Sequence, residues 1–318
     1  MLFQSKARNP HARSLAVIAS LFFLFGFLTC LNDTLVPHLK SAFTLSYSEA
    51  ILVQFAFFGA YFLTSIPASR FCERFGYQRG LFTGLAITAL GAFGFLGSSH
   101  FLSFRLFLGA LFVLASGITL IQVAANPYVT LLGPAGSGSS RLTLVQAFNS
   151  LGTTIAPIFG SYLILASSDV QSVEGPYLGL GIVLVLLAAF VARAKLPRFQ
   201  ASDSAGEADA PWSELFQNRR LMLGCLGIFA YVGAEVSIGS FLVNYLESDH
   251  VLGLPADVAG RYVAFYWGGA MVGRFLGTPV LASTAPAKVL QAVAFGAIGL
   301  ILVSILGGGF TAMVAILS

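Results

Sequence analysis

The stretch KLPRFQASDSAGEADAPWSELFQNRR, residues 195–220, is the one long polar connection in a chain that is otherwise a succession of apolar runs. Its small and charged residues have the composition of a flexible or surface linker. Working outward, apolar runs at roughly residues 14–36, 49–69, 80–98, 104–129, 141–166 and 176–194 precede it, and runs at roughly 220–246, 258–282 and 287–306 follow. Nine spans are therefore expected, six before the linker and three after. The domains expected are residues 1–194, a six-helix bundle; residues 195–219, a cytoplasmic linker; and residues 220–318, a partial bundle of three helices and the start of a fourth. A ten-helix carrier made of two equal halves would divide five and five, which the linker position opposes.

Composition decides what kind of helices these are. Of the 318 residues 57% are hydrophobic and 9% charged, with a mean hydropathy of +0.84, so the expected surroundings are a lipid bilayer rather than water. In hydrocarbon every backbone N–H and C=O must be satisfied within the protein, so long apolar runs form helices; barrel strands would be shorter and alternating. The basic excess is read as orientation, not as nucleic-acid binding. With the N-terminus in the cytoplasm, Lys6, Arg8, Arg13, Arg70, Arg74, Arg79, Arg141, Arg193, Lys195, Arg198, Arg219, Arg220 and Lys288 fall on one side, and Lys40, Glu247, Asp249 and Asp257 on the other. Met1–Arg13 leads into a full-length span with no small-residue cleavage pattern, so the first helix is expected to stay. Cys30 and Cys225 lie in spans and Cys72 in a basic loop, which is not a disulfide framework. After Gly307-Gly308-Gly309 the nine apolar residues Phe310–Ser318 are too short to span and read as an interrupted tenth helix.

Polar residues inside such helices are costly, so the few present mark candidate sites. Asp33 shares a face of the first span with Gly26, Thr29 and Asn32; it is either an interfacial aspartate near Pro37 or a protonatable carboxylate in a transport path. The fourth span carries Thr119, Gln122, Asn126 and Thr130, and the fifth carries Thr143, Gln146, Asn149, Ser150 and Thr153, again three or four residues apart. Such stripes either bond helix to helix or line a cavity. Amides both donate and accept, which suits the hydroxyls of a neutral polyol better than an anionic phosphate. In the seventh span Glu235 has Tyr231 one turn away, and is either a functional carboxylate or a buried partner of a neighbouring helix. Trp267 and Tyr266 in the eighth span are candidates to stack on a ring, and Arg274 there is expected to pair or cap. Small residues at Gly269, Gly273 and Gly277, and at Gly152, Ala156 and Gly160, are expected to let the eighth and fifth spans meet between halves. No nucleotide-binding glycine loop, zinc-ligand cluster or nucleophile–base set stands out, so no enzyme, cofactor or metal is expected.

The segments LFFLFGFLTCLNDTLVPHLK (21–40), IQVAANPYVTLLGP (121–134), SRLTLVQAFNSLGTTIAP (140–157), FAYVGAEVSIGSFLVNYL (229–246) and YWGGAMVGRFLG (266–277) resemble the fucose/glucose–galactose branch of the major facilitator superfamily. The loop Glu73–Arg79 resembles a degenerate form of that superfamily's acidic–Arg–x–Gly–basic loop. The resemblance implies an all-α membrane protein of the major facilitator fold, with a six-helix N-terminal half and an incomplete C-terminal half. It also implies alternating access, with Asp33 in ion coupling and Gln146 and Asn149 on the sugar. Gln122 stands where the fucose symporters carry a second glutamate, in a segment LETAANP that here reads IQVAANP. The expectation is accordingly a secondary transporter of neutral hexoses of the glucose/galactose type in the bacterial inner membrane, coupled to a proton or a sodium ion. Its sugar contacts are Gln122, Asn126, Gln146, Asn149 and Tyr231, and its ion-coupling residues Asp33 and Glu235. An L-fucose–proton symporter and a truncated, non-transporting remnant are the alternatives.

Overall fold

The computed structural model describes residues 12–43, 46–163, 173–194, 196–197 and 212–318, and among them it is helical, with no strand. The helices are α1 (Ala12–Ala42), α2 (Tyr47–Phe75), α3 (Tyr77–His100), α4 (Phe104–Leu131), α5 (Gly138–Leu163), α6 (Glu174–Arg193), α7 (Trp212–Gln217), α8 (Arg219–Glu247), α9 (Ala256–Ser283), α10 (Pro286–Gly307) and α11 (Gly309–Leu317). Eight of them are long and apolar enough to cross a membrane. The eighth expected span, α9, has the length but is not among those eight. Its glycines, Tyr266, Trp267 and Arg274 dilute its apolar character.

The chain separates into two compact units, residues 1–205 and 206–318. In the first, α3 packs along α4 and α6, α2 lies on α4, and α1 pairs with α5. Tyr128, Tyr177, Phe57 and Phe95 are fully buried in its core. The close helix pairs are made by glycine. A Cβ on Gly117 would run into the backbone and side chain of Thr88, and one on Gly152 into the α1 backbone at Phe23 and Phe27. Gly152, the first small residue of that ridge, thus meets α1 inside its own unit. Period alone shows a face, not its partner.

Helix ends are tied down by side chains. Ser46 and Glu49 form a reciprocal capping box at the start of α2. Gly76, at φ +82°, ends α2 and opens α3, a backbone conformation that side-chain-bearing residues rarely adopt. Gln78 donates from one amide nitrogen to the carbonyls of Val191 and Ala194 at 2.9 and 2.8 Å, closing the end of α6. Arg141, expected only as an orienting charge, is buried at the start of α5. It donates to the carbonyls of Val129, Thr130 and Pro134 and to the Ser137 hydroxyl, satisfying the orphan acceptors at the end of α4. Cys72, expected in a loop, is buried within α2.

In the second unit packing is concentrated at one end, where Leu242, Leu246, Val251, Ala259, Ala312 and Met313 form a small core. Positive φ at Gly308 and Gly309 breaks the chain between α10 and α11, and α11 lies back against α10 and α9. The Tyr245 hydroxyl donates to the Ser304 backbone carbonyl, and the Ser304 hydroxyl beside it donates to the Ala312 carbonyl, joining α8, α10 and α11. Elsewhere α8 and α10 expose apolar side chains, Phe229 by 78% and Leu306 by 80%. In water that surface would drive aggregation, whereas lipid tails are as apolar as leucine.

Candidate functional site

In the N-terminal unit the polar stripe of α4 is turned toward α2 and α1. Gln122 donates from Nε2 to the Tyr61 hydroxyl on α2 at 3.2 Å, and Thr29 on α1 meets the same hydroxyl. One phenol thereby joins three helices. Sequence reasoning missed Tyr61, although Gln54, Thr64 and Ser65 stand at helical spacing from it, because the phenylalanines around it read as packing. One turn further along α4, the Asn126 side-chain oxygen is buried with no hydrogen-bond partner. An amide oxygen left that way costs about 1–3 kcal/mol unless a water or ligand donor reaches it.

Helix α5 divides its amides between two tasks. Asn149 donates from Nδ2 to the Phe22 carbonyl of α1 at 3.2 Å, so its nitrogen is engaged in the helix crossing. The side-chain amide of Gln146, one turn earlier, is half-buried and makes no hydrogen bond among the described residues. Ser150, Thr153 and Thr154 bond back to carbonyls of their own helix, which removes their hydroxyl protons from any other use. Asp33 lies in α1, but its side chain, with that of Asn32, is outside the described ones.

In the C-terminal unit Tyr231, Glu235 and Gly239, four residues apart, form one face of α8, and α9 meets it with Arg274, Trp267 and Tyr266. Arg274 Nη2 is 2.8 Å from Glu235 Oε1 and 3.0 Å from the Tyr231 hydroxyl, and that hydroxyl donates to the same Oε1 at 2.9 Å. Tyr266 donates to the Glu235 backbone carbonyl at 3.0 Å. The Trp267 ring lies over Gly239, where a Cβ would approach it to 2.9 Å. The two aromatics considered for ring stacking therefore pack on α8, and Arg274 pairs. Glu235 and Arg274 remain partly accessible, at 17% and 24%. Among the described residues no three His, Cys, Asp or Glu side chains gather to hold a metal ion.

Membrane-length helices carrying inward polar groups on both sides of a polar linker define a multi-pass helical membrane protein of the carrier type. Residues 17–318 match the profile of the Major Facilitator Superfamily. The chain is 46% identical over 322 residues to the glucose/galactose transporter of Brucella abortus, an alignment covering 99% of this chain and 78% of that one. It is 36% identical to the L-fucose–proton symporter of Escherichia coli, over 95% of this chain and 74% of that one. The crystal structure of the E. coli fucose–proton symporter superposes with a TM-score of 0.86 at 34% identity, covering 98% of this chain and 80% of that one. The chain belongs to the Major Facilitator Superfamily, in the group that holds the glucose/galactose transporters and L-fucose–proton symporters.

Proposed function

We propose that this protein carries neutral hexoses of the glucose/galactose type across the bacterial inner membrane, driven by protons and working by alternating access, with its N-terminus in the cytoplasm. The observation that carries the reading is the α4 and α5 amide set: Gln122 on Tyr61, the orphaned buried oxygen of Asn126, and the unengaged amide of Gln146. These are donors and acceptors without net charge, matched to hydroxyl groups that both give and take a proton. Asn149 contributes its remaining acceptor, and Tyr231 is a further proposed sugar contact. The 46% identity to a glucose/galactose transporter supports the same substrate class. Glu235 is held in an ion pair with Arg274, so the coupling role falls to Asp33.

The test is uptake of labelled D-glucose, D-galactose and L-fucose in a bacterium lacking its own hexose carriers, with membrane insertion checked by blotting. Galactose or glucose entry above the empty host is the expected result. An inserted protein that admits no hexose faster than the empty host removes this reading. L-fucose is the second reading, favoured by the 36% identity to a fucose symporter; preferential fucose entry selects it.

A further inference from the structure

The α8–α9 cluster is more than a clasp. All the hydrogen bonds that the Glu235 carboxylate makes among the described residues fall on Oε1, which takes both Arg274 Nη2 and the Tyr231 hydroxyl. Its Oε2 makes none, yet is not sealed in among the buried atoms that lack a partner. A carboxylate accepts at about four lone-pair positions, so one held on a single oxygen keeps acceptor capacity on the other. Three further features hold the residue: Tyr266 donates to the Glu235 backbone carbonyl, Trp267 packs at Gly239, and Arg274 and Tyr231 both hold Oε1. The ion pair cancels the charge, so the cluster offers a strong acceptor without a net field that would favour a cationic solute.

We propose that Glu235 Oε2 accepts a hydroxyl of the transported sugar, and that Arg274 is the positioning residue that holds this carboxylate in place. The inference rests on the sugar-transport reading above. A hydroxyl donating to a carboxylate is among the stronger neutral-to-charged hydrogen bonds, so its loss weakens binding about tenfold or more. A helix clasp alone would change stability without telling one sugar hydroxyl from another.

The experiment measures binding of D-galactose and its set of monodeoxy analogues to the purified full chain, with melting temperature as the folding control. For the parent, each missing hydroxyl that the protein uses lowers affinity. In Glu235→Gln, binding of D-galactose is expected to weaken about tenfold or more, and the penalty for one particular deoxy position is expected to vanish while the others persist. Arg274→Gln should reproduce that selective loss and Arg274→Lys should restore part of it. Should Glu235→Gln fail to fold, Tyr266→Phe, which frees the Glu235 backbone carbonyl and leaves the carboxylate itself intact, is read on the same panel and should shrink the same penalty. If the parent binds hexose and the variants keep its full deoxy pattern, the cluster is only a clasp and this inference falls alone. If the parent binds no hexose at all, the transport reading falls and takes this one with it.

Discussion

Gly152→Ala tests whether the α1–α5 crossing positions the amides. A helix interior normally gains up to about 1 kcal/mol when glycine becomes alanine. At Gly152 the new methyl would collide with the Phe23 carbonyl and come within 2.8 Å of the Phe27 backbone nitrogen, and backbone cannot rotate away as a side chain can. Ordinary carbon contacts need about 3.5 Å or more, so α1 and α5 must separate by roughly 1 Å. Overpacking of that kind costs about 1–3 kcal/mol. The Asn149–Phe22 hydrogen bond, one turn away and already 3.2 Å long, would pass out of range and forfeit about 1 kcal/mol more. The control is Gly109→Ala on the outer side of α4, where a Cβ meets nothing within 4 Å. Thermal melting in detergent should show Gly152→Ala below the parent and Gly109→Ala at or above it, with galactose binding weakened only in the first. If Gly152→Ala melts at the parent's temperature and binds normally, the crossing does not hold the amides in place.

Four other outcomes are expected. Ser46→Ala should destabilise the start of α2 by about 1 kcal/mol, read by melting. The Ser46 hydroxyl and backbone N–H hold Glu49 below its ordinary value of 4.5, so the carboxylate's contribution is present above that value and is lost as pH falls through the lowered one; Glu49→Gln should flatten that acid limb of the melting curve. Arg141→Met takes the guanidinium donors from the Val129, Thr130 and Pro134 carbonyls and leaves the Thr130 carbonyl to find water, and should cost about 1–3 kcal/mol, with faster proteolysis of the 132–138 turn as the readout. Asp33→Asn should abolish uphill galactose accumulation in proteoliposomes while counterflow persists; unchanged accumulation would move the coupling role elsewhere.

The sequence by itself determined that this is a bundle of membrane helices interrupted by a polar linker, because lipid leaves an apolar run of about 20 residues no other way to satisfy its backbone. It also determined which faces are polar, since Gln122 and Asn126, or Tyr231 and Glu235, repeat at helical spacing. Tertiary structure alone decided what each face meets. Arg274 lies 39 residues from Glu235 in the chain, and only the antiparallel approach of α8 and α9 puts its guanidinium on that carboxylate. Tyr61 reaches Gln122 across 61 residues because α2 lies on α4. Asn149, legible as one more amide in a stripe, had its nitrogen taken by the Phe22 carbonyl once two glycines let α1 and α5 touch. Periodicity is a property of one helix. Hydrogen bonding across an interface depends on distances between two helices, which the packing of small residues at the crossing decides.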